Sequence, residues 1–220
     1  MTGAPGLHLS LWRKALGVVP DDVWDRKDLQ TLVLAENDLA DVSDRIGELR
    51  DLRMLDLGHN RLRCIPDSIG NIEGLTDFLY LHDNKLTELP PSLMRLDRLR
   101  YLNISENAFE VLPEVVTGMV GLIELRATDN RLTFLPPSIS RLTRLRELHV
   151  RNNRLTTLPE AVGLLAELRQ LDLRGNPITD LPKGLRELPC LEKLDLRWVT
   201  TLDPPPWLAT LEGRGCAVYL

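Results

Sequence analysis

The stretch Leu145–Leu165, LRELHVRNNRLTTLPEAVGLL, decides the fold. Leu148 and Val150 alternate with Glu147, His149 and Arg151, the period of a short strand with one buried face. Pro159, six residues past Asn153, stops any strand from continuing. Val162 and Leu165, three apart, suit one or two turns of helix or 3-10 helix. A unit this short cannot bury its own leucines, so it needs neighbours of the same kind.

The chain supplies them. Asparagines recur at Asn37, Asn60, Asn84, Asn107, Asn130, Asn153 and Asn176, in steps of 23, 24, 23, 23, 23 and 23 residues. Five residues before each stands leucine, from Leu32 to Leu171, and three before stand Leu34, Leu57, Leu81, Ile104, Ala127, Val150 and Leu173. Proline lies six residues after each Asn from Pro66 to Pro182, with Ser43 in its place in the first full unit. Stacked units of this kind give a right-handed coil with a parallel sheet along one side. The Asn amide carries two donor hydrogens and an acceptor, and can serve backbone groups of neighbouring turns.

This pattern resembles the leucine-rich repeat family, whose signature is L-x-x-L-x-L-x-x-N-x-L. The LPxxIxxL half and the 23-residue period are similar to the subclass found in Ras-group and Scribble-type scaffolds and in bacterial leucine-rich repeat proteins. The resemblance implies an α/β horseshoe solenoid with a parallel concave sheet and short helical or 3-10 turns on the convex side. It also implies a non-enzymatic protein–protein interaction module, with intracellular signalling as one setting and a small-GTPase-pathway protein as one candidate partner. The alternative is a targeting or structural repeat domain of a larger, effector-like assembly.

One domain is expected over 1–220. Residues 1–28 form an N-terminal capping unit with Lys14 at the Asn position, 29–190 hold seven full repeats, and 191–220 form a C-terminal repeat and cap. Val199 replaces the last Asn, and the tail DPPPWLATLEGRGCAVYL reads as a proline-started helix and a closing strand over 217–220. Trp12, Trp24, Trp198 and Trp207 all fall in these end zones, where they are expected to seal the open core.

The composition narrows the function. A formal charge of −5 over 220 residues disfavours non-specific nucleic-acid binding, which draws on an excess of Lys and Arg. Cys64, Cys190 and Cys216 form neither a disulfide framework nor a zinc motif, so a cytoplasmic setting is expected. The N-terminal stretch lacks the apolar run of a signal peptide, and no segment is long enough to span a bilayer. Asn103-Ile104-Ser105 matches a glycosylation sequon, a triplet that often arises by chance.

With the leucines inside, the residues six, four and two before each Asn face outward and form the surface such solenoids use for binding. Two groups stand out there as partner-binding candidates. Phe78, Tyr80, His82 and Tyr101 make an aromatic cluster, with Met54 beside Phe78. Arg151, Arg174 and Arg197 make a basic ladder flanked by Arg126 and His149, suited to an acidic or phosphorylated segment. Glu124, Glu147, Asp172 and Asp195 stand nearby to neutralise it.

No phosphate loop, nucleophile elbow or H-E-x-x-H motif occurs, and neither catalysis nor a cofactor is expected. His59 and His82, with Asp56 and Asp83 close by, suggest a metal only superficially, since exposed turn positions set no ligand geometry. Cys64 and Cys190 read as structural. The one 24-residue step places an extra residue between Leu75 and Leu79, which should bulge just before the aromatic strand and either re-aim Phe78 or drift harmlessly.

Overall fold

The structure, a computed structural model, describes residues 7–220; residues 1–6 of the expected capping unit lie outside it. Each repeat yields a three-residue strand where the sequence alternates. These are β1 His8–Ser10, β2 Thr31–Val33, β3 Met54–Asp56, β4 Phe78–Tyr80, β5 Tyr101–Asn103, β6 Glu124–Arg126, β7 Glu147–His149, β8 Gln170–Asp172 and β9 Lys193–Asp195. The closing segment adds β10, Ala217–Tyr219, parallel to β9, so the described residues form one ten-stranded parallel sheet in sequential order.

The prolines act as expected. Pro66, Pro90, Pro113, Pro136, Pro159 and Pro182 each sit immediately before a five-residue 3-10 helix. Their fixed φ ends the extended segment and starts the turn. Ser43 does the same work differently: its hydroxyl accepts a hydrogen bond from the Arg45 amide at 3.2 Å, an N-cap.

The leucines five and three before each Asn fill the space between sheet and turns. Leu55, Leu79, Leu102, Leu125 and Leu148 are all 0% exposed. Burying each such side chain contributes about 1.5–3 kcal/mol. The asparagines form an internal ladder. Asn60 Nδ2 donates to the carbonyls of Leu34, Leu57 and Gly58, while its Oδ1 accepts from the amides of Asn37 and Leu39. Lys14 does hold the equivalent place at the start, its amide donating to Asn37 Oδ1 at 2.9 Å.

Several expectations need correction. Of the four tryptophans only Trp24 is fully buried, at 1% exposed. Trp207 is half-buried, and Trp12 and Trp198 stand 50% and 67% exposed. The C-terminal end is closed instead by Leu208 and Leu211 of α1, Leu208–Gly213, and by Cys216. Cys64 and Cys190 are exposed rather than structural.

The extra residue of the long step is absorbed at the entry to β4. In ordinary units the amide preceding a strand bonds the carbonyl just before the previous strand, as Arg146 does to Ile123. The Arg100 amide reaches Thr76 instead of Asp77, while Phe78 and Tyr101 stay in register. Beside this slip lies a dent of about 350 Å3 lined by Arg53, Phe78, Arg100, Tyr101 and Glu124, among others.

Candidate functional site: the open sheet face

Strand alternation places the aromatic residues on the outer face, and register brings them together. Phe78 faces Tyr101 across β4 and β5, and Met54 faces Phe78 across β3 and β4. The ring centroids of Phe78 and Tyr80 are 6.0 Å apart, those of Phe78 and Tyr101 5.5 Å, and those of Tyr80 and Tyr101 5.0 Å. Phe78 remains 43% exposed. Burial pushes the Tyr101 hydroxyl up to about 12 and raises that of Tyr80. Both phenols are therefore neutral hydrogen-bonding groups on an apolar platform.

The cluster continues in two directions. Tyr80 and His82 meet edge-on with centroids 6.0 Å apart. On the other side the Arg126 guanidinium lies 6.0 Å from the Tyr101 ring centroid, within cation–π range. From Arg126 the surface turns basic, and a groove of about 310 Å3 is lined by Arg126, His149, Arg151, Asp172, Arg174 and Lys193, among others.

The basic ladder is largely committed to its own acids. Arg174 grips Asp172 in a fork, Nε to Oδ1 at 2.8 Å and Nη2 to Oδ2 at 2.6 Å, and Arg197 grips Asp195 likewise at 2.9 and 2.8 Å. Asp172 and Asp195 do not face solvent as the alternation implied; they are 7% and 0% exposed, with Arg174, Arg197, His149 and Lys193 gathered around them. Burial alone would raise their carboxyls, but the arginine hydrogen bonds outweigh it and hold both below the usual aspartate range. Arg126 pairs with Glu124 at 2.5 Å, whereas Arg151 lies 3.6 Å from its ion-pair partner Asp129. His149 lies between Glu147 at 3.1 Å and Asp172 at 3.9 Å. Glu124, Glu147 and His149 could together hold an ion, but Arg126 already occupies Glu124.

His59 and His82, dismissed from the sequence as lacking fixed geometry, are in fact in contact, Nε2 to Nε2 at 3.2 Å. Sequence reading also passed over the flank, where Met94, Val111 and Phe134 are 44%, 47% and 47% exposed. Val111 and Phe134 form a parallel bridge beside a groove of about 740 Å3. The signal was present: four residues after each Asn these two stand where other units carry Asp41, Cys64, Glu88, Thr157 and Asp180.

Family models described as leucine rich repeat match residues 51–72, 75–132, 121–178 and 143–198. The chain belongs to the leucine-rich repeat family. No curated protein matches it significantly. Among solved structures, the leucine-rich repeat domain of the type III effector XopL superposes with a TM-score of 0.82 at 27% identity, over 99% of this chain and 77% of that one. A leucine-rich repeat protein of Leptospira interrogans gives 0.76 at 25% identity, over 96% of this chain. This chain spans 64% of the length of that protein. The ectodomain of the plant membrane receptor kinase GASSHO1/SCHENGEN3 from Arabidopsis thaliana, in complex with Casparian strip integrity factor 2, gives 0.79 at 25% identity, over 97% of this chain and 26% of that one. Leucine-rich repeat domains are typically non-enzymatic interaction modules, and among the described residues no helix is long and apolar enough to cross a membrane.

Proposed function

We propose that this leucine-rich repeat protein recognises a protein partner on its open sheet face, with Phe78, Tyr80 and Tyr101 as the anchor. The observation that carries the reading is the contact of these three rings on adjacent strands with Phe78 left open. Rigid aromatic side chains of this kind supply most of the binding energy at interfaces. The weakly paired Arg151 is the cation most available to an acidic group next to the anchored segment, and Arg126, stacked toward Tyr101, joins it by exchanging Glu124. Arg174 and Arg197 shape the groove while holding Asp172 and Asp195. The partner on this account is a segment with an apolar side chain followed by acidic or phosphorylated ones.

The complex of the Arabidopsis receptor ectodomain with Casparian strip integrity factor 2 supports a protein or peptide ligand. A small-GTPase-pathway partner and a cytoplasmic setting are narrower forms of the same proposal, resting on family analogy and on three free cysteines. The alternative, a repeat domain serving a larger assembly, draws on the effector neighbour. A pull-down comparing the native chain with a Tyr80→Ala, Tyr101→Ala variant, shown by circular dichroism to be folded, tests the site. The same protein captured equally by both would overturn it; a loss of tenfold or more, while a Met94→Ser, Val111→Ser flank variant still binds, supports it.

A further inference from the structure

His59 and His82 meet at the rim of the sheet because two backbone features bring them there. His59 precedes Asn60 with a left-handed φ of 52°, which swings its side chain across to the next unit. His82 follows β4 and lies flat over Gly58 of the preceding unit. A Cβ at residue 58 would stand 2.4 Å from His82 Cε1 and 2.9 Å from its Nε2, so only glycine leaves room for the ring. The two imidazoles cross at 80° with Nε2 facing Nε2 at 3.2 Å.

The far side of His59 is also held. Its Nδ1 lies 2.6 Å from Asp83 Oδ2. A carboxylate there keeps the proton on Nδ1 and leaves Nε2 with its lone pair free to act as a ligand, the carboxylate–imidazole pairing that supports metal-ligating histidines. Burial first, and then the neighbouring His59, hold His82 below the usual imidazole range against the pull of Asp56, Glu106 and Asp83, so its ring is neutral, the form that ligates a metal.

Two imidazole nitrogens bound to one tetrahedral zinc ion at the usual Zn–N length lie about 3.3–3.4 Å apart. The observed separation is 3.2 Å, so the nitrogens need hardly move apart, and the two rings need only turn until both lone pairs meet the ion. We propose that His59 and His82 form a binding site for a borderline divalent metal, zinc first, each donating Nε2, with Asp83 holding His59 in place. Two positions of a tetrahedral ion are left to water or to a carboxylate or imidazole of a bound ligand. The same separation also suits a plain N–H···N hydrogen bond, and that is the rival to exclude. The proposal stands apart from the protein-binding reading: it needs neither the aromatic anchor nor a partner.

Equilibrium dialysis against zinc chloride, with bound metal counted by atomic absorption, decides it. The full chain carries Cys64→Ser and Cys190→Ser, because both thiols are exposed and bind zinc themselves. One zinc per chain is expected. His82→Gln and His59→Asn, the latter chosen because Asn tolerates the left-handed backbone, should each weaken binding at least tenfold. Asp83→Asn should cost about tenfold. Gly58→Ala, which leaves every ligand in place but displaces the His82 ring, should also weaken it. His149→Ala should change nothing. Circular dichroism establishes that each variant is folded. Absence of saturable zinc, or zinc that survives both histidine substitutions, overturns the proposal. Loss on His149→Ala alone overturns it too, moving the ion to Glu124, Glu147 and His149.

Discussion

At Asn153 one side chain closes four backbone hydrogen bonds: Nδ2 donates to the carbonyls of Ala127, Val150 and Arg151, and Oδ1 accepts from the Leu132 amide. The residue is 6% exposed, so water cannot replace these partners. A buried polar group left unpaired costs about 1–3 kcal/mol. Asn153→Ala is therefore expected to lose about 3 kcal/mol in urea unfolding, and a loss below 1 kcal/mol would contradict this account of the ladder. Asp172 gives a pH prediction. Its carboxyl is held low against the cost of burial by Arg174, and by His149. A depressed folded-state value means that the stabilisation is present above the unfolded value of about 3.9 and is lost as pH falls below it. Asp172→Asn should thus melt lower than the native chain at pH 7, with the gap closing below about pH 4. A gap of unchanged size in acid would show that the ion pair is not its source.

The 3-10 turns stack almost as closely as the strands, and two glycines separate backbone contact from side-chain contact. A Cβ at Gly70 would stand 2.4 Å from the Ser92 carbonyl oxygen of the next turn, whereas at Gly118 it would meet Met94 Cγ at 2.3 Å. Backbone cannot yield and methionine can. Gly70→Ala should cost about 1–3 kcal/mol and Gly118→Ala clearly less; equal costs in denaturant unfolding would contradict this packing. At this scale the sequence was most informative. Strands followed from leucine alternation and turn starts from the prolines. What it hid was conformation without a pattern of polarity. Glu36, Asp83, Glu106 and Asp129, each just before its repeat Asn, sit at φ between 48° and 55°, with His59, Asn152 and Gly175 also left-handed in their units. Asp, Asn, His and Gly suit that backbone, and no periodicity reveals it. The tryptophans misled for a different reason: large rings at the ends of a stack are sealed only if something covers them, and Trp198, with the Arg174 and Arg197 guanidiniums 5.9 Å from its ring centroid, still stays 67% exposed.

Across the whole molecule each unit touches chiefly its neighbours, so ten parallel strands build a single face from residues 23 or 24 apart in sequence. That is why the aromatic cluster was legible: the period alone assigns Phe78, Tyr80 and Tyr101 to one side of adjacent strands. The state of the arginine ladder was not, because the burial of Asp172 and Asp195 depends on which side chains gather around each carboxylate. Nor was the histidine pair, which needs a left-handed turn and a missing side chain at Gly58 together. The central claim is that the sheet face, and not the apolar flank of Val111 and Phe134, meets the partner. Its most direct test replaces Tyr101 in one chain and Phe134 in another with the photo-crosslinking residue p-benzoylphenylalanine and irradiates each in native extract. The account predicts one discrete protein adduct from position 101 and none from position 134. An adduct from position 134 with none from position 101 would contradict it.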